Sequence, residues 1–154
     1  MFHWKRNAAF ALVVFGLLGA PISESARAGA TKKSVTISNN SGGRIIDYAR
    51  KAAQLRNSRA TVRFTGRCDS ACTLYLGLPK QQTCISPGAY FRFHSPSARS
   101  QRSARMAQVY LMRKYPGWVK SWIARNGGLS GRLVTMNYGY ASKFLRSCSR
   151  VASR

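Results

Sequence analysis

The chain has 154 residues, a length that predicts a single domain. It carries 26 Lys and Arg against 3 Asp and Glu, for a net charge of +23. Charge of this size attracts polyanions such as nucleic acid, anionic lipid headgroups and acidic glycans. No recognition helix and no RNA-binding aromatic motif accompanies it, which excludes the familiar nucleic-acid-binding motifs. The alternative is a generally basic exported protein without a specific polyanion site.

The first 28 residues have the order of regions found in secretory signals. The basic start MFHWKR precedes the apolar run NAAFALVVFGLLGAPI, and the small-x-small pattern Ala26-Arg27-Ala28 follows. We predict a signal peptide over 1–28, cleaved after about Ala28, and hence export to the periplasm or secretion. The alternative is a membrane anchor, but the apolar run is shorter than the ~20 residues of a spanning helix. Nothing later in the chain resembles a transmembrane segment.

The next segments alternate between strand and helix patterns after a flexible basic leader, 29–34. SVTIS predicts a strand, NNSGG a turn, and RIIDYARKAAQLRN an amphipathic helix. ATVRFTG predicts a second strand, and CDSACTLYLGLP a short helix from about Ser70, ended by Gly77 and Pro79. A third strand is predicted over Tyr90–His94, and 83–85 is a candidate for a further short one. Strand–helix–strand alternation implies parallel strands and right-handed crossovers.

The last third of the domain, which we place at 35–154, is predicted to be a helical layer. SARSQRSARMAQVYLMRKY predicts one helix, and Pro116 begins a second in PGWVKSWIARNGG. The aromatic stripe of this second helix, Trp118 and Trp122, is predicted to be core or sheet cover rather than a ligand platform. The tail GRLVTMNYGYASKFLRSC is predicted to form a short helix or strand and then a helix to Cys148.

The four cysteines all lie after the predicted signal peptide: Cys68, Cys72, Cys84 and Cys148. An even number of cysteines in a small exported domain favours disulfides. Zinc is the competing interpretation, with His94 as an additional ligand, but the Cys-x-x-x-Cys spacing is not that of the usual zinc knuckle. Four cysteines permit three pairings, and the sequence does not choose among them. No cofactor or metal is predicted.

Three segments together, ISNNSGGRIIDYARKA, TVRFTGRCDSACTLYLG and CISPGAYFRFHSP, resemble the core of the Clp-protease/crotonase superfamily. The likeness is nearest to exported bacterial members related to the Clp peptidase and signal peptide peptidase A. It covers roughly residues 35–96. It implies a shortened Clp/crotonase-like α/β domain with parallel strands. It also implies a peptide or acyl substrate and, since Clp-type relatives assemble, a homo-oligomer.

The resemblance implies a role for each residue that matches the family motif. Ser70 matches the nucleophile, and His94, 24 positions later, matches the base. Gly42 and Gly43 match the turn whose N–H groups help to form the oxyanion hole, and Ala71 would supply the second donor. The chemistry agrees in form, because acyl transfer needs a nucleophile, a nearby base and N–H donors aimed at the developing oxyanion. Plain structural roles for the serine, histidine and glycines remain the alternative.

The sequence departs from the family pattern in its acidic residues. No Asp or Glu follows Asp69, so a Ser-His-Asp triad has no evident acid. An orienting role would fall to Asn126, Asn137, a backbone carbonyl or Asp69 itself. Asp69 is adjacent to Ser70 and is predicted to point away from it and to cap the helix. Two functions therefore remain: an exported serine hydrolase, possibly a peptidase, or a non-catalytic scaffold that binds anionic lipid or another polyanion.

Overall fold

The computed structural model describes residues 33–148, which form a mixed α/β fold. Six strands and four α-helices lie within this range, together with two 3-10 helices over Ser70–Gly77 and Lys80–Gln82. The strands are β1 Ser34–Asn40, β2 Thr61–Asp69, β3 Thr83–Ile85, β4 Tyr90–Phe93, β5 Val134–Met136 and β6 Arg146–Ser147. The α-helices are α1 Ile45–Asn57, α2 Gln101–Lys114, α3 Gly117–Arg125 and α4 Tyr138–Ala141. The predicted α/β class with parallel strands is confirmed.

Strand β2 is the centre of the sheet. β1 runs parallel along one of its edges, from the pair Ser34–Thr61 to the pair Asn40–Cys68. The opposite edge is shared, because β3 pairs with the first half of β2 and β4 with the second half, both in parallel. β6 extends the sheet beyond β3, and β5 adds an antiparallel strand beyond β4. The sheet therefore divides into two branches on this side of β2.

The burial of β2 follows from the alternation of its side chains. Val62, Phe64 and Cys68 are fully buried, whereas Thr61 and Arg63 are only partly buried. Period-two alternation places successive side chains on opposite faces of a sheet. The buried face belongs to one hydrophobic cluster that also takes in side chains of α1, the Ser70–Gly77 helix, α2 and α3. The helices therefore share one core with the inner face of β2.

The predicted role of the aromatic stripe on α3 agrees with the structure. Val119 and Ile123 are buried in the core, and Trp122 packs against Phe93 of β4. Trp118 stacks face to face on Phe144, with ring centroids 4.9 Å apart. These contacts make α3 a cover over the sheet and the chain that follows it.

The tail differs from its prediction, because no helix runs to Cys148. α4 ends at Ala141, and Arg146–Ser147 instead form β6, which pairs with β3. The physical cause is a covalent tether: Cys148 is bonded to Cys84 of β3, and its backbone N–H donates to the carbonyl of Ile85. An extended segment satisfies both constraints at the sheet edge.

Two sequence predictions fall mainly on residues that the structure does not describe. The signal peptide over 1–28 lies wholly outside residues 33–148, as does most of the leader over 29–34, although Ser34 already belongs to β1. Among the helices of 33–148, none has the length and apolar character that a membrane crossing requires.

Candidate active site

Three parallel strands end at the same edge of the sheet and deliver the predicted site residues there. β1 ends at Asn40 and leads into the Gly42-Gly43 turn, β2 ends immediately before Ser70, and β4 ends immediately before His94. The register pairs Asp69 with Arg92, so the residues after the two strand ends are neighbours. Carboxyl ends of parallel strands are where α/β folds bind ligands.

Ser70 sits on a strained strand-to-helix turn, which we call the elbow (residues 69–71). The backbone of Asp69 is extended, with φ −107° and ψ 154°, and Ser70 then takes φ +53°. A non-glycine residue in this left-handed region costs roughly 1–2 kcal/mol. Strain of this kind concentrates at functional sites, where the surrounding structure enforces it. The elbow therefore presents the serine side chain at a conformational cost.

The side chains of Ser70 and His94 are in hydrogen-bond contact. His94 Nε2 lies 2.7 Å from Ser70 Oγ, and the histidine is half-buried. A nucleophile and a base within about 2.6–3.2 Å is the geometric requirement for base-assisted attack. Proton abstraction requires the tautomer in which Nε2 accepts and the serine hydroxyl donates. The structure brings the two predicted residues together as this chemistry requires.

The Gly-Gly turn packs directly against the elbow. Gly42 has φ +78°, and a Cβ at this position would lie 2.8 Å from Ser70 Cβ and 3.1 Å from Ala71 N. Asn40 Oδ1 accepts a 2.9 Å hydrogen bond from the Gly42 N–H and a 2.5 Å hydrogen bond from the Tyr48 hydroxyl. These contacts fix the turn from both sides.

This arrangement distinguishes the predicted oxyanion donors Gly42, Gly43 and Ala71 from one another. The Gly42 N–H is already used in a 2.9 Å hydrogen bond to Asn40 Oδ1. The Gly43 N–H makes no backbone hydrogen bond within residues 33–148. Ala71 occupies the first turn of its helix, where no intrahelical acceptor precedes its N–H. Gly43 and Ala71 are therefore the two remaining candidates.

Asp69, the first residue of the elbow, has a buried carboxylate that binds arginine. Its carboxylate accepts two hydrogen bonds from Arg92, at 2.8 and 2.5 Å, and Arg67 Nε lies 3.5 Å away. The hydrogen bond to Asp69 raises the pKa of Arg92 further above its usual range. Asp69 precedes the helix but makes no side-chain capping hydrogen bond, so the predicted capping role is wrong. Its predicted direction, away from Ser70, agrees with these contacts.

The other candidates for an orienting residue are used elsewhere. Asn126 donates to the carbonyl of Trp122 at the end of α3, and Asn137 accepts from the Tyr140 N–H at the start of α4. Within residues 33–148, the only side-chain hydrogen bond of His94 is the one to Ser70. Within the described residues, Ser70 and His94 are therefore in contact without a third side chain hydrogen-bonded to the imidazole.

All four predicted cysteines form disulfides, and the structure supplies the pairing. Cys68 bonds to Cys72 across the elbow, and Cys84 bonds to Cys148. The first bond joins the end of β2 to the helix that Ser70 begins, so it constrains the elbow covalently. Because every cysteine is oxidised, none provides the thiolate that the zinc alternative requires.

Sequence reasoning missed the groups that support the elbow from below. Thr73 Oγ1 donates to the carbonyl of Ser70 at 2.6 Å, and it also lies 2.6 Å from the Tyr115 hydroxyl. Because the threonine proton is used on Ser70, Tyr115 is the donor in the second contact. The segment NNSGG, which contains Asn40, was predicted to be a turn, but the hydrogen bonds of Asn40 to Gly42 and Tyr48 were not predicted.

Comparisons with known proteins give little further information. A scan against protein-family models finds no match, and a search of curated proteins finds none either. Among solved structures, a crystal structure described as a peptidase from Plasmodium falciparum is similar with a TM-score of 0.49 and 12% identity. The alignment covers 75% of each chain. At this level of similarity we draw no functional conclusion from the neighbour.

Proposed function

We propose that the protein is a serine hydrolase, most simply a peptidase, of the Clp/crotonase type that its sequence resembles. The observation that carries this proposal is the 2.7 Å contact between Ser70 Oγ and His94 Nε2 at the strained elbow. A serine with only a packing role would need neither the unfavourable backbone conformation nor the hydrogen bond to histidine. The adjacent Gly-Gly turn supports the proposal because Gly42 packs against the elbow and the next N–H, that of Gly43, makes no backbone hydrogen bond within residues 33–148.

In the proposed reaction, Ser70 Oγ attacks the carbonyl carbon of a peptide or ester while its proton passes to His94 Nε2. The N–H groups of Gly43 and Ala71 stabilise the oxyanion of the tetrahedral intermediate. Collapse of the intermediate breaks the C–N or C–O bond, and His94 returns the proton to the leaving group. Water then hydrolyses the acyl-enzyme by the same route. Without an acid behind the histidine we expect slow turnover, since loss of a triad acid costs about 10⁴ in kcat.

The experiment is covalent labelling of the folded, disulfide-intact protein with a fluorophosphonate probe. We expect labelling of the wild type, loss of labelling in Ser70→Ala, and unchanged labelling in Ser86→Ala, a control serine that directly follows β3. Absence of labelling in the folded wild type, or equal labelling of Ser70→Ala, would contradict the proposal. Circular dichroism of each variant establishes that its fold is intact.

A second candidate function is binding of an anionic partner without catalysis. It is favoured by the lack of an orienting acid at His94 and by the excess of cations, since residues 33–148 contain only Asp47 and Asp69 as acids. Binding to anionic vesicles or nucleic acid that weakens steeply with salt would support it. Affinity that is flat from low to high salt would oppose it.

Export is part of either proposal. Two disulfides in a domain of this size fit an oxidising compartment, because cytosolic thiols are kept reduced. Mass spectrometry of the protein recovered from the periplasm or the medium would test both the location and the predicted cleavage after Ala28.

A further inference from the structure

Arg59 occupies a backbone conformation that normally belongs to glycine. Its φ is +52°, and Ser70 is the other non-glycine residue of 33–148 with positive φ. Arg59 follows the last turn of α1: its N–H donates to the Arg56 carbonyl, and the Ala60 N–H donates to the Leu55 carbonyl. These two bonds define a Schellman motif, in which the left-handed position is usually glycine. The residue at the left-handed position is therefore an arginine, although glycine would adopt this conformation without strain.

The strained position opens on a groove that contains two further arginines. The groove has a volume of about 580 Å³ and is lined by Arg56, Arg59 and Arg146, together with Thr61, Pro79, Gln81 and Gln82. We call this set of three arginines and its cavity the arginine groove. The volume falls within the range of roughly 300–1,000 Å³ typical of small-ligand sites.

Two of these arginines are held in place by neutral acceptors. Arg56 Nη2 donates to the Gly77 carbonyl at 2.7 Å, and Arg146 Nη2 donates to the Gln81 carbonyl at 3.2 Å. Neither carbonyl neutralises its guanidinium group; the Gln81 carbonyl belongs to a residue of the groove, whereas Gly77 lies outside its lining. No carboxylate of residues 33–148 forms an ion pair with any of the three arginines, since the ion pairs there involve Asp47 and Asp69 with other partners.

We propose that the arginine groove binds the phosphate group of a phosphate ester. Three cations without a carboxylate favour a multiply charged anion over a single carboxylate. The planar guanidinium group directs pairs of N–H donors onto two oxygens of the same anion, a geometry that phosphate matches. The strain at Arg59 supports a functional role, because glycine would serve the helix end better.

The groove is separate from the proposed nucleophile. Thr61, the first residue of β2, lines the groove, whereas Ser70 follows the last residue of that strand. A nine-residue strand spans about 30 Å. Phosphate binding therefore does not depend on Ser70 chemistry, and Ser70→Ala should bind phosphate like the wild type.

The test is isothermal titration of the folded, oxidised protein with inorganic phosphate, alongside co-sedimentation with phosphatidylcholine vesicles that contain or lack phosphatidic acid. Arg59→Gly should weaken binding about tenfold, which corresponds to about 1.4 kcal/mol. It should also raise the melting temperature, because glycine relieves the backbone strain. Arg146→Gln should weaken binding without raising the melting temperature. Arg102→Ala, which removes an exposed cation of α2, is the matched control and should stay within about twofold of the wild type.

The results of these titrations decide whether the arginine groove binds phosphate. Arg59-dependent binding of inorganic phosphate supports a site for soluble phosphate esters, and Arg59-dependent binding restricted to phosphatidic acid vesicles supports a lipid headgroup. Binding in neither arm overturns the proposal. Equal weakening by Arg59→Gly and Arg102→Ala overturns it as well, because diffuse charge rather than the groove would then account for the attraction. Full affinity in both Arg59→Gly and Arg146→Gln has the same consequence.

Discussion

Replacement of Gly42 by alanine tests whether the turn after β1 packs on the elbow as the structure shows. The new Cβ would lie 2.5 Å from the Asp69 carbonyl oxygen and 2.8 Å from Ser70 Cβ. Both distances are shorter than van der Waals contact, and one of the two atoms is backbone. The turn, the elbow or both must therefore move to accept a single methyl group.

The expected cost has two parts. Placing a Cβ on a residue with φ +78° costs roughly 1–2 kcal/mol. Overpacking a tight contact costs typically 1–3 kcal/mol more. We therefore expect Gly42→Ala to lower the free energy of unfolding by about 2–5 kcal/mol. A shift of the elbow by about 1 Å would also lower the labelling rate of Ser70 by about 10².

Gly88→Ala is the matched control. Gly88 has a similar φ of +87°, but a Cβ there would meet no atom within 4 Å. It should lose only the conformational part, roughly 1–2 kcal/mol, and keep its labelling rate. Urea denaturation and fluorophosphonate labelling of both variants give the comparison. Equal destabilisation of the two variants, with labelling unchanged in both, would refute the packing of the turn on the elbow.

Three further expectations follow from contacts around the elbow and from the covalent links. Ser70→Gly should be more stable than Ser70→Ala by about 1 kcal/mol and should melt at a higher temperature, because both lose the hydroxyl and only alanine keeps a Cβ at φ +53°. Equal melting temperatures would mean that the elbow is unstrained. Burial raises the pKa of Tyr115 to about 12. Tyrosine in the unfolded chain ionises near pH 10, so the stability that comes from protonated Tyr115 is fully present below about pH 10 and is lost as the pH rises toward 12. Tyr115→Phe should therefore lose less free energy of unfolding than the wild type over this pH range in urea denaturation. An equal loss in both proteins would contradict the burial argument. Cys84→Ser removes the disulfide between residues 64 apart in sequence and should lower the free energy of unfolding by about 4 kcal/mol. Cys68→Ser removes the disulfide between residues 4 apart and should lower it by about 2 kcal/mol. The reverse order in thermal unfolding would contradict the loop-closure account.

Much of the site follows from local sequence patterns. Alternating residues predict β1 and β2, a strand is predicted over Tyr90–His94 where β4 lies, and the amphipathic run between the first two strands predicts α1. Because parallel strands carry their carboxyl ends to one edge, the positions of Ser70 and His94 directly after two such strands bring them near each other. The strand assignments therefore predict that the two residues lie at one edge of the sheet, whereas their paired roles come from the family resemblance and their 2.7 Å contact from the structure.

The features that were missed depend on contacts between distant parts of the chain. β6 exists because Cys148 is bonded to Cys84, and no local pattern in the tail specifies that partner. The ion pair between buried Asp69 and half-buried Arg92 depends on the register between β2 and β4, which determines that the two face each other. The strain at Arg59 is visible only in backbone angles, since composition gives no reason to expect an arginine in that position.

The central claim is that His94 activates Ser70 for nucleophilic attack. The most direct measurement is the second-order rate of fluorophosphonate modification at Ser70, located by peptide mass spectrometry, in the wild type and in His94→Asn. General-base assistance contributes about 10²–10⁴ in rate, so we expect the His94 variant to react at least about 100-fold more slowly while remaining folded. Equal rates in the two proteins, or an adduct on another residue, would show that the contact is structural and that Ser70 is not an activated nucleophile.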